Sequence, residues 1–128
     1  MLNVTTFYNN ICLEISKLKL VKRQNLYCNI FAYETKKYQE YINGLSDCEK
    51  VITKVYKKFS NNQELSIDNL EDFVSVVIDS IFTNTNTKLL LVRKKLFRFV
   101  ERKHFGYINA CKKVIRLIDK AFRALYEN

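Results

Sequence analysis

The residues best suited to metal or nucleophilic chemistry are four cysteines, Cys12, Cys28, Cys48 and Cys111, and a single histidine, His104. A structural zinc site draws its thiolates and imidazoles in pairs separated by a short loop, so that the ligands converge on one ion. No two of these cysteines have that spacing, and His104 stands alone in Lys103-His104-Phe105, so no metal is expected. A lone histidine among basic residues reads as a surface or structural residue. Glu71-Asp72 resembles a paired carboxylate, but close to a helix start such residues complement the partial positive charge of the N-terminus. A Ser/His/Asp set and a glycine-rich phosphate loop are both missing. The expectation is a protein that is not an enzyme, with no cofactor and no small-molecule substrate. In a reducing compartment the cysteines stay thiols and pack as small apolar residues. A cysteine near a two-fold axis could still cross-link to its own copy on oxidation.

Charge offers a different chemistry. The net charge is +9, and it is unevenly placed. Residues 1–87 hold ten basic and ten acidic residues, whereas residues 88–128 hold twelve basic and three acidic ones. A basic C-terminal third beside a neutral remainder points to a polyanion, nucleic acid first. Lys94, Lys95, Arg98, Arg102 and Arg116 are the expected phosphate contacts. The bland alternative is a solvated basic helix face.

The elements that must position these residues are helical. Proline is absent, glycine occurs twice, and hydrophobic residues make up 48% of the chain, which favours one all-α domain with a real core. No apolar run is long enough to span a membrane, the N-terminus lacks signal-peptide features, and Leu2 excludes N-myristoylation; a cytosolic or nuclear setting is expected. A first helix is expected over Asn3–Leu20 and a second from Leu26 to Ile42, ended by Asn43-Gly44. The stretch Asp47–Lys103 reads as a long hairpin turning at Ser60–Ser66. Its first arm carries Val51, Ile52, Val55, Tyr56 and Phe59 on one face; its second, from Leu70 to Phe82, is apolar nearly all round. Such an arm needs cover on more than one side. Either a second copy supplies it, giving an intermolecular four-helix bundle, or the rest of the chain does. Thr83–Thr87 reads as a kink or break, Gly106 as an interruption, and Tyr107–Tyr126 as a last helix with basic residues opposite an apolar stripe.

Several strings occur in the order of a known family and close to its spacing, Phe105-Gly106 coming one residue late. Glu14 sits in the first helix; Asn29-Ile30-Phe31 pairs a polar residue with two apolar ones. Tyr38-Gln39-Glu40 is followed by Cys48, and Asn69-Leu70-Glu71-Asp72 by Asn84-Thr85-Asn86, Phe97 and Phe105-Gly106. In these respects the chain resembles the core (capsid) proteins of hepatitis B virus and its relatives, including non-enveloped fish viruses. The chain is shorter than the family between Cys48 and Asn84, and lacks its tryptophans, its proline-rich segment and its arginine-rich tail.

The resemblance implies an all-α hepatitis B-type capsid fold over residues 1–128, with a spike hairpin about 47–103 and an assembly helix about 107–126. It implies a homodimer built as a four-helix bundle, its seam at Cys48, Val51, Val55, Phe59, Phe73, Val77 and Ile81. Dimers would join through Ile118, Phe122, Arg123, Leu125 and Tyr126 into an icosahedral shell. The shell would package viral RNA for reverse transcription, in a virion capsid made in host cytoplasm. The alternative kept beside it is a small basic helical protein that binds nucleic acid or a host partner.

Overall fold

A computed structural model describes residues 4–28, 32–61, 68–94 and 98–125, with side chains described over 4–25, 38–59, 70–86 and 105–125. All secondary structure among the described residues is helical: α1 (Val4–Cys28), α2 (Ala32–Asn61), α3 (Asp68–Lys94) and α4 (Arg98–Ala124). None of these helices is long and apolar enough to cross a membrane.

Each helix packs against its successor in the opposite direction. Tyr8 and Thr5 near the start of α1 meet Thr53 and Tyr56 late in α2, while Lys19 near the end of α1 meets Glu49, earlier in α2. Phe73, early in α3, sits edge-on to Phe59 and Tyr56 at the same end. Farther along, Asn84 of α3 reaches Tyr107 of α4. The result is an up-down-up-down bundle in which α2 and α4 run parallel. The core joins all four helices: Phe7, Ile11 and Ile15 from α1; Leu45, Cys48 and Ile52 from α2; Phe73, Val77 and Ile81 from α3; Cys111, Val114 and Ile118 from α4. Each set recurs at helical spacing, as burial of one face requires.

Four expected breaks are absent, and two of them have a local reason. Asn43-Gly44 does not end a helix; α2 runs through it. Gly44 is buried, and a Cβ there would lie 2.7 Å from the Tyr107 carbonyl oxygen and 2.8 Å from Ala110 Cβ. It lets two backbones approach, and no glycine takes a positive φ among the described residues. Thr83–Thr87 does not interrupt α3. Thr83 and Thr85 donate their hydroxyls to the carbonyls of Asp79 and Ile81, four residues back, so they bond within the helix and do not compete with it. Gly106 lies inside α4. The expected connection at Val21–Asn25 is likewise helical, as part of α1. The turn expected at Ser60–Ser66 falls between α2 and α3, mostly outside the described residues.

The hairpin's cover comes from the same chain. Val55, Phe73, Val77 and Ile81, expected at a seam between copies, are 6%, 2%, 1% and 0% exposed with one chain alone. Helices α1 and α4 take the place that a second copy would otherwise fill. On α3, Val76 and Phe82 are left exposed.

Candidate functional site

Helix α4 is divided lengthwise. Tyr107, Ile108, Ala110, Cys111, Val114 and Ile118 face the core. Lys112, Lys113, Arg116, Lys120 and Arg123 are exposed on the other side. At about 3.6 residues per turn these five cations span only about 100° of the helix circumference. Asp119 is the single acidic residue in the described part of that helix beyond Phe105, and it pairs with Arg123 at 3.2 Å. Among the described residues, Lys112, Lys113, Arg116 and Lys120 form no ion pair. The helix therefore presents a concentrated, hydrated positive face.

Part of that face overhangs a groove of about 280 Å³ between α1 and α4. Lys113, Arg116, Leu117 and Lys120 line one wall; Glu14 and Leu18 line the other. Glu14 is exposed and shared with Lys17 at 3.4 Å, so it neutralises little of the opposite wall. Three cations on a shallow, open wall suit the oxygen-rich backbone of a polyanion.

What holds α4 in place is a polar knot at its crossing with α2 and α3. The Tyr107 hydroxyl donates to Asp47 Oδ2 at 2.6 Å and accepts from Asn84 Nδ2 at 2.8 Å. Burial, together with the bond to the Asp47 carboxylate, pushes the Tyr107 hydroxyl well above the usual tyrosine range. One turn farther on, the Cys48 thiol donates to Cys111 Sγ at 3.7 Å. That donation pulls the Cys111 thiol down and pushes the Cys48 thiol up. Thr85, buried among the described residues, lies close to Cys111 and gives its hydroxyl proton to the Ile81 carbonyl. Neither the knot nor the thiol pair is visible in local spacing, because its members come from three distant helices.

The expected site residues divide as follows. Of the phosphate contacts, Arg116 lies in the cationic face; Lys95 lies outside the described residues, as do the side chains of Lys94, Arg98 and Arg102. The neighbours Lys112, Lys113 and Lys120, on the basic side that sequence spacing gives the last helix, complete the face. Of the expected seam, Cys48 is fully enclosed against Cys111 of its own chain, so in this conformation it cannot meet its copy. Val51 and Phe59 are half-buried on the edge of the core. Of the expected contacts between dimers, Ile118 is 1% exposed and belongs to the core. Phe122 and Leu125 pack against its margin, Arg123 points to solvent beside Asp119, and Tyr126 lies outside the described residues. Among the described residues no cluster of histidine, cysteine and carboxylate side chains could hold a metal ion. No protein-family model, curated protein or solved structure matches the chain.

Proposed function

We propose that this chain is a structural nucleic-acid-binding protein of the capsid kind, acting by contact and self-assembly and not by catalysis. The observation that carries this reading is the cationic face of α4, where Lys112, Lys113, Arg116 and Lys120 stand exposed on a helix locked to its neighbours. Such a face attracts phosphates, releases their counterions and reads no base sequence. In the sequence Arg98 and Arg102 continue the same helical spacing toward the start of α4. Viral RNA is the polyanion that the family resemblance implies.

Self-assembly rests on that resemblance and on apolar side chains left in water. Val76 and Phe82 on α3, and Leu13 and Leu20 on α1, are each between 41% and 57% exposed. In this reading copies meet through outward-facing residues such as these, and through Phe122, Arg123, Leu125 and Tyr126 near the end of α4. The enclosed residues Val55, Phe73, Val77 and Ile81 serve the single chain. A second reading, a small basic helical protein that binds nucleic acid as a monomer, is favoured by that self-enclosed core.

Sedimentation of the purified protein with labelled single-stranded RNA tests both. RNA travelling with a megadalton particle supports the shell, and RNA in a small complex supports the second reading. RNA that sediments alone at low salt overturns both.

A further inference from the structure

Cys48 and Cys111 are nucleophilic groups that the proposed function does not use. Their sulfur atoms lie 3.7 Å apart between the parallel helices α2 and α4. A disulfide needs about 2.05 Å, so the sulfurs must close by roughly 1.7 Å, within the reach of side-chain rotation and a small helix shift. The backbones are already drawn together one turn earlier, where Gly44 leaves no room for a Cβ against Tyr107 and Ala110. Each cysteine follows its member of that contact by four residues, Gly44 to Cys48 and Tyr107 to Cys111, so the thiols sit on the two facing stripes. Both side chains are 0% exposed. Burial keeps them from cysteines of other molecules and from bulky reagents, while a small neutral oxidant can enter through local opening.

We propose that Cys48 and Cys111 are a redox modification site, converted by a hydroperoxide into a reversible disulfide that ties α2 to α4 within one chain. The Cys111 thiolate attacks a peroxide oxygen; the S–O bond forms, the O–O bond breaks, and hydroxide leaves and takes a proton to become water. Cys48 then attacks the sulfenic sulfur of Cys111. The S–S bond forms, the S–O bond breaks, and the departing hydroxide takes the Cys48 proton. Two thiols and one hydrogen peroxide give one disulfide and two waters, and a dithiol reductant reverses the change. The bridge closes a long loop holding α3 and half of α4, so it constrains the unfolded chain strongly and fixes the cationic helix to its support.

The test is treatment of the folded full chain with excess hydrogen peroxide, followed by alkylation of free thiols and peptide mapping without reductant. The expected result is a peptide joining Cys48 to Cys111, a monomeric band of increased mobility on non-reducing electrophoresis, and a melting temperature raised by roughly 5–15 °C. All three revert with dithiothreitol. In a Cys12→Ser/Cys28→Ser variant the same treatment consumes both remaining thiols. Cys48 and Cys111 recovered as alkylated thiols from the treated wild-type chain overturn the proposal. So does either one linked to another cysteine or to a second chain.

Discussion

Gly44 and Tyr107 carry the contact between α2 and α4, from opposite sides of the same crossing. Alanine at Gly44 would gain about 1 kcal/mol of helix propensity if nothing stood opposite. The Tyr107 carbonyl and Ala110 Cβ stand too close for that, and backbone must move. Gly44→Ala is therefore expected to destabilise by about 1–3 kcal/mol, seen as a lower melting temperature; a rise would contradict the close packing. Tyr107→Phe removes a donor to Asp47 and an acceptor for Asn84, at a cost of about 1–3 kcal/mol. Its pH dependence is specific. The Tyr107 hydroxyl is held above the ordinary tyrosine value of about 10 in the folded chain, so the folded state keeps its proton longer than the unfolded state does. That contribution is fully present below pH 10 and is lost as pH rises through the higher folded value. Melting followed from pH 8 to 12 should show the wild type losing stability faster above pH 10 than the Phe variant. Equal slopes would remove the tyrosine from the account. These roles were not legible in the chain. Asn43-Gly44 has the composition of a helix cap, and only the residues opposite, contributed by a distant helix, make Gly44 a packing residue instead.

Helices and their faces were easier to read. The absence of proline and the apolar spacing in Asp47–Phe82 indicated long amphipathic helices, and α2 and α3 contain them. Their continuity was not legible, because Thr83–Thr87 looks polar in sequence while the Thr83 and Thr85 hydroxyls bond back along α3. What covers the hairpin was also open, since an apolar face specifies burial but not whose helix supplies it. Phe73 tests this at the element scale. Its ring meets Phe7, Tyr56 and Phe59 edge-on, with centroids 6.5, 6.4 and 5.6 Å away, and so ties α1, α2 and α3 together. Phe73→Ala is expected to cost about 3–5 kcal/mol. Because the ring is enclosed by its own chain, that loss should be the same across a hundredfold range of protein concentration. A loss that shrinks as protein is concentrated would place Phe73 at a seam between copies.

The whole molecule is organised by charge as much as by its core. The imbalance between residues 1–87 and 88–128 was plain in the sequence, and the structure adds that the described cations from Lys112 to Arg123 share one face of α4. Helical spacing in the sequence already puts Lys112, Lys113, Arg116, Lys120 and Arg123 on one side of the last helix, with Arg116 the expected phosphate contact among them. This face is proposed to bind nucleic acid through phosphates. That binding is tested most directly by the affinity for a labelled single-stranded RNA, measured against salt for the wild type and a Lys112→Ala/Lys113→Ala/Arg116→Ala/Lys120→Ala variant. All four positions are exposed, so the variant should stay folded, with circular dichroism as the check. For single strands the logarithm of the binding constant falls with that of salt by about 0.7 per phosphate neutralised. The account predicts wild-type binding at about 50 mM salt that weakens steeply as salt rises, with a slope shallower by about 2–3 in the variant and affinity at least tenfold lower. A variant that keeps both the affinity and the salt slope of the wild type would contradict it.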